Sequence, residues 1–291
     1  MEWYYFSFIA AILSALAAII EKKVLFKEKA LSFTVILSIF NLILASIFFF
    51  FVDFSKISLM ILVIVFFKSI LNAFAFLCVM YAIKNLELSD ALPLLVITPG
   101  LVAIFALIFL QESLKITEWF GLILLTLGLY VLQIKGTSII LSIKKLIKSR
   151  GHKYVLVALV LFTITTLLDR IILNRFKLDP AAYMGFQHLF FAIIFIVIFF
   201  LFNAKIQDLK KTLKQSWPLI FILALTTIGY RFFEIMAIKL TNAVALSLAI
   251  KRISVFFVVV IGGSLFKEHN LLRKAIATAM LILGVILIIR F

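Results

Sequence analysis

The sequence predicts an all-α membrane protein with ten transmembrane helices arranged as two inverted five-helix repeats. Three observations lead there. Of 291 residues, 65% are hydrophobic and 14% charged, too little polar surface to cover a soluble core of this length. Apolar runs of about 20 residues, enough to cross a bilayer as a helix, recur almost end to end. Landmarks of the first half then return in the second in the same order.

Ten spans fall at roughly 3–20, 31–52, 57–80, 91–110, 116–134, 154–173, 181–202, 217–238, 243–264 and 272–290. The first has no basic stretch before it and no small-residue cleavage site after it, so it is expected to be a retained helix. Span 1 ends near Glu21-Lys22 and span 6 near Asp169-Arg170. Span 3 closes on Ala82-Ile83-Lys84 and span 8 on Ala237-Ile238-Lys239. Span 4 leads to Glu112 and span 9 to Glu268, and Gly128 of span 5 matches Gly284 of span 10. The halves are thus residues 1–134 and 154–291, joined by a basic linker, 135–153. Five is odd, so the second half enters the membrane from the opposite side, as in inverted-repeat transporters.

Charge sets orientation. Lys22, Lys23, Lys27, Lys29, Lys84, the linker cations, Lys205, Lys210, Lys211, Lys214, Lys267, Arg273 and Lys274 collect on one side. Lys56, Lys115, Arg175, Lys177, Lys239 and Arg290 fall on the other. Positive loops stay inside, so the linker is expected in the cytoplasm of a multi-pass cell-membrane protein, with both termini outside. The formal net charge of +16 is explained by these loops and their meeting with anionic lipid, without a nucleic-acid partner.

Several chemistries lack their residues. One cysteine, Cys78, and three scattered histidines, His152, His188 and His269, make neither a disulfide framework nor a metal site. No phosphate-cradling Walker sequence, His-Glu-x-x-His run or Gly-x-Ser-x-Gly elbow occurs. No cofactor and no enzymatic activity are expected. A lipid flippase or a non-transporting membrane scaffold stays open.

Ionisable residues inside spans are costly and therefore informative. Lys251 and Arg252 lie well inside span 9, about 100° apart around a helix. They contact an anionic ligand, or they pair with carboxylates of neighbouring helices. Lys68 and Asn72 share a face of span 3, and repeat symmetry sets span 3 opposite span 8. Lys68 either lines a cavity with Asn72 or is buried against helix carbonyls. Arg231 and Glu234 of span 8 form an internal ion pair, or Glu234 is a proton-coupling group. Four cations, Lys68, Arg231, Lys251 and Arg252, then face one acid, Glu234, an excess that an anion would offset. Glu21-Lys22 and Asp169-Arg170 read as gate or interface pairs near span ends, where long side chains reach water. Gln187 and His188 face the cavity or bond between helices.

Pro93 and Pro99 are expected to bend span 4 at the cavity, with Gly100 as a close-approach point. Span 9 has no matching proline, which argues against functional symmetry of the repeats. Glu112 and Glu268 are expected to cap or tie the helices that follow them. Gly121 and Gly128, and Ala277 and Gly284, give spans 5 and 10 small faces that pack together or form a dimer contact, so monomer and homodimer both stand.

Ala91-Leu-Pro-Leu-Leu-Val-Ile-Thr98-Pro99-Gly100, Phe109-Leu-Gln-Glu112, Trp119-Phe-Gly121 through Leu127-Gly128, Phe266-Lys-Glu268 and Leu283-Gly284 resemble the EamA-like branch of the drug/metabolite transporter superfamily. The resemblance covers both halves. It implies a ten-helix bundle working by alternating access, with a cavity lined by helices 1, 3, 4, 6, 8 and 9. Lys251-Arg252, followed by an apolar run, is similar to the phosphate-binding pair of the triose-phosphate/phosphate translocators. The further phosphate-binding lysine of that group, on helix 4, has no counterpart here. The expected function is secondary transport of a small organic metabolite, an anion carrying phosphate or carboxylate. The alternative within transport is an amino-acid or general metabolite exporter.

Overall fold

A computed structural model describes residues 2–85, 95–133, 150–258 and 271–290. Ten α-helices and no strand occur among the described residues. They are α1 (Trp3–Leu25), α2 (Ala30–Ala45, continued by a 3-10 segment, Ser46–Phe51), α3 (Leu59–Asn85), α4 (Thr98–Leu110), α5 (Ile116–Gln133), α6 (Arg150–Arg170, continued by a π turn, Ile171–Arg175), α7 (Pro180–Leu201), α8 (Ile206–Leu240), α9 (Val244–Lys251) and α10 (Leu271–Arg290). Six apolar segments containing α1, α2, α3, α6, α7 and α8 are long enough to cross a membrane, and α4, α5 and α10 contribute shorter apolar helices.

Local chemistry sets several ends. Asp179 accepts the Ala181 N–H at 2.8 Å, and Pro180 occupies the first turn of α7, where its missing donor does no harm. Gln111 ends α4 in the left-handed conformation at φ 58°. The helix that contains predicted span 8 (217–238) begins earlier, outside that span. Helix begins at Ile206 because Thr212 and Ser216, one turn apart, both donate to Glu28 at 2.6 Å, while Asp208 pairs with Lys29 at 2.8 Å. At 1.5 Å per residue α8 is about 50 Å long, so its lysine-rich start extends past a hydrocarbon core of about 30 Å.

Helix pairing is symmetric under exchange of the halves. α1 packs on α8 as α6 packs on α3, α2 on α8 as α7 on α3, and α1 on α9 as α6 on α4. The pairs α2–α7, α4–α9 and α5–α10 map onto themselves. Two five-helix repeats are therefore related by a two-fold exchange, and the odd helix number inverts one relative to the other. Span 3 thus packs on α6 and α7. The linker, 135–153, lies mostly outside the described residues, as do Pro93 and Glu268.

The small faces of α5 and α10 meet. A Cβ added to Gly121 would stand 2.7 Å from the Gly284 carbonyl oxygen, and one added to Gly284 would stand 2.9 Å from that of Gly121. Gly128 faces the Ala277 carbonyl oxygen in the same way at 3.1 Å. The close approach lets the backbones touch at an interface where lipid-like side chains supply little other driving force.

Spans 4 and 9 are both interrupted. Helix at Leu95 gives way to a turn at Val96–Ile97 before resuming at Thr98, and helix at Lys251 gives way to a turn at Arg252–Ile253 before resuming at Ser254. The two turns are separated in sequence by the same distance as Gly128 and Gly284, so they are equivalent positions of the two repeats. Pro99 starts the resumed helix of span 4 rather than bending a continuous one. Span 9, which has no matching proline, is interrupted at the equivalent point nonetheless. There the chain tightens instead: Ile253 N–H bonds Ile250 O and Val255 N–H bonds Arg252 O, both three residues back.

Candidate functional site

A cavity of about 220 Å³ lies among the helices. Its polar lining includes Glu21 of α1, Asn41 of α2, Asn72 of α3, Thr98 of α4, His188 of α7 and Thr227 of α8. Tyr230, Arg231 and Glu234 reach it from neighbouring turns of α8, and Lys251 and Arg252 reach it from the interruption in span 9.

Two buried carboxylates organise the charges beside it. Asp169 of α6 pairs with Lys68 at 2.7 Å, accepts the Tyr183 hydroxyl and has Arg231 at 3.6 Å. Lys68 is fully buried and donates to Tyr183 Oη at 2.5 Å and Gln187 Oε1 at 3.3 Å. Arg231 donates to Gln187 Oε1 at 3.0 Å and to Glu234 Oε2 at 2.6 Å. Glu234 closes the chain by accepting Lys251 at 2.6 Å, with the Lys251 ammonium 4.9 Å over the Tyr230 ring.

This network bears on three expectations. Lys68 is held by Asp169, Tyr183 and Gln187 and does not line the cavity, whereas Asn72, its partner one turn on, does. Of the two readings of Lys251, pairing with a carboxylate of a neighbouring helix holds, because Glu234 bridges it and Arg231 through different oxygens. The count of acids was also too low. Asp169 is buried among cations, and Glu21 faces the cavity, so three carboxylates, not one, stand against the four cations. Both acids lie near predicted span ends yet are withdrawn from water.

Arg252 differs from the other three cations. It makes no ion pair among the described residues. Its Nη2 donates to Thr98 Oγ1 at 3.3 Å, and its buried Nε has no partner. Arg252 belongs to the turn that interrupts span 9, and Thr98 restarts helix after the turn that interrupts span 4. The two irregular points of the backbone therefore meet at the cavity wall, where turns free backbone polar groups that a continuous helix would use up. Gly100 is not a close-approach point: a Cβ there would meet nothing within 4 Å.

Other lining groups are equally short of partners. Asn41 Oδ1, Gln187 Nε2, both ring nitrogens of His188, Thr227 Oγ1 and Arg231 Nε are buried without a hydrogen-bond partner. Buried polar atoms in native proteins are nearly always satisfied, so water or a polar ligand in this cavity would be their partner. Among the described residues no three of His, Cys, Asp and Glu converge as metal ligands.

Away from the cavity, Glu112 and Arg170 form a tie. Arg170 donates to Glu112 at 2.5 Å and to the carbonyls of Ile238 and Asn242 at 2.7 and 3.0 Å, and the second oxygen of Glu112 accepts the Val244 N–H at 2.9 Å. Glu112 thus caps α9 and holds Arg170 of α6, which in turn binds the end of α8. Asp169 and Arg170 are not a pair; each serves a different network.

Tyr183 was not singled out from sequence, and Glu21 was read there only as half of a gate or interface pair. Glu21 had one available signal, its correspondence in the repeats to Asp169. Tyr183 had none beyond its place near the start of an apolar span.

The sequence profile of the EamA-like transporter family matches residues 1–134 and again 149–290. A crystal structure of a protein 15% identical superposes with a TM-score of 0.72, covering 98% of this chain and 95% of that one, a likeness of fold alone. No curated protein matches the sequence.

Proposed function

The chain belongs to the EamA-like transporter family, membrane transporters of small molecules, and from that premise we propose that its cargo is a small organic anion carrying phosphate or carboxylate. The observation that carries the reading is Arg252. It is a cation inside the bundle with no carboxylate partner among the described residues, aimed with Thr98 at a cavity lined by unsatisfied polar atoms. A guanidinium offers paired donors that match carboxylate or phosphate oxygens. Lys251 lies beside it but is engaged by Glu234, so it supports the site's charge rather than gripping the guest alone. The pair's likeness to the triose-phosphate/phosphate translocators motivates the phosphate branch of the proposal.

The repeat design supports a reading of transport by alternating access. The Arg170–Glu112 tie holds the side of the bundle where α6 and α8 end, and alternating access would break it and form an equivalent closure on the opposite side. The loop-charge bias supports a cytoplasmic linker.

A thermal-stability screen of purified protein against phosphorylated sugars, carboxylates, amino acids and nucleotide sugars tests the cargo class. A ligand bound to the folded state at a hundred times its Kd stabilises by about 2.7 kcal/mol. Stabilisation by anions supports the proposal. Stabilisation confined to cations or neutral compounds overturns it.

A further inference from the structure

We propose that Glu21 is the proton-binding site of this cavity, and that its protonation favours anion binding at Arg252. The second half of the proposal rests on the anion reading, while the first stands on its own observation.

That observation is a difference among the buried acids. Asp169 has Lys68, Tyr183 and Arg231. Glu234 has Arg231 and Lys251, each at 2.6 Å. Glu112 has Arg170 and the Val244 N–H. Glu28 has the hydroxyls of Thr212 and Ser216. Glu21 is 9% exposed, lines the same cavity, and has no hydrogen bond or ion pair among the described residues.

The groups around it do not supply a counter-charge. α1 packs on α2, α3, α8 and α9. From α2 the cavity receives Thr34, Ser38 and Asn41, and from α3 Asn72, none of them ionisable. From α8 it receives Tyr230, which lies within electrostatic reach of Glu21, together with Arg231 and Glu234, which bind each other. From α9 it receives Lys251, held by Glu234, and Arg252, bonded to Thr98. On α1 itself Lys22 extends to the Phe26 ring at 4.8 Å.

A lone ionised carboxylate withdrawn from water carries a large desolvation cost, which a proton removes. When the cavity admits water the charged form is solvated; when the cavity closes, the neutral form is favoured. Glu21 thereby links proton occupancy to access, the requirement for a coupling site. A proton needs one carboxylate oxygen, whereas a metal cation wants several oxygen ligands. Glu234, the coupling group expected from sequence, is less suited, because two cations hold it.

The sign of the linkage follows from charge. Protonation removes one negative charge from the lining that contains Arg252, so proton and anion each strengthen the binding of the other. The two would travel together.

Infrared difference spectroscopy of the purified full-length protein, titrated in detergent, reads carboxylic-acid protonation directly through its C=O stretch. The wild type is expected to show one titrating carboxylic-acid band from within the bundle. Glu21→Gln should lose that band completely, Glu21→Asp should keep a titrating band at an altered position, and Glu234→Gln should keep the wild-type band. A wild type without such a band, or a band that survives unchanged in both Glu21 variants, overturns the proton site. No ligand is needed, so this failure is distinct from failure of the anion reading, which is decided at Arg252.

Discussion

Lys251 and Glu234 are joined across α9 and α8 by a 2.6 Å ion pair, while the next residue, Arg252, has no acid partner among the described residues. Two adjacent cations thus hold opposite positions in the energetics of the bundle. One is paired, and the other is held by a hydroxyl.

Substituting the pair separately should separate their roles. Lys251→Gln removes a charge-assisted bond from a buried carboxylate and is expected to destabilise by about 1.5–3 kcal/mol, since Glu234 keeps Arg231. Arg252→Gln relieves an unpaired intramembrane charge and should leave the melting temperature unchanged or raised. Thermal melts of both purified variants check this, and equal losses would refute it.

Lys68 and Asp169 should behave as a unit. Lys68→Met leaves Asp169 buried with its nearest cation removed, a change expected to cost about 3–5 kcal/mol, less whatever Arg231 retains. The double variant Lys68→Met with Asp169→Leu should recover part of that loss. A double variant as unstable as the sum of the singles would show that the pair contributes no coupling.

The α5–α10 contact predicts a contrast among glycines. Gly121→Ala and Gly284→Ala each push a methyl onto the partner's carbonyl oxygen and should destabilise by about 1–3 kcal/mol. Gly100→Ala, with nothing within 4 Å, should be neutral or slightly stabilising through helix propensity. Equal melts for all three would contradict the close approach.

Topology is testable at described positions. With the linker cytoplasmic, a cysteine at Ser55, between α2 and α3, should react with an impermeant reagent added outside intact cells. A cysteine at Asn203, between α7 and α8, should not react until the cells are opened. The reverse pattern would invert the orientation.

Much of the fold was legible because lipid imposes simple rules. Apolar runs of fixed length give the spans, and the repeated Gly128 and Gly284 locate the contact of α5 with α10. The lower part of α8 was missed because its stability comes from Glu28, distant in sequence, rather than from apolar periodicity. The site was legible as a set of charges but not as a set of bonds. Lys251, Arg252, Arg231, Glu234 and Asn72 stand out as polar residues in apolar runs, and all line the cavity. Which cation each acid holds depends on helix rotation, which no local spacing fixes. Asp169 shows this: one turn of helix decides whether it meets water or Lys68. The interruption at Arg252–Ile253 was hidden because no proline announces it.

The most direct test is the affinity of Arg252→Gln for whichever anion most stabilises the wild type in the thermal screen, measured alongside its melting temperature. Loss of a charge-assisted hydrogen bond of about 1.5–3 kcal/mol predicts roughly ten-fold or greater weakening, with the melting temperature kept. Unchanged affinity in a stably folded Arg252→Gln variant would contradict the assignment of Arg252 as the anion site.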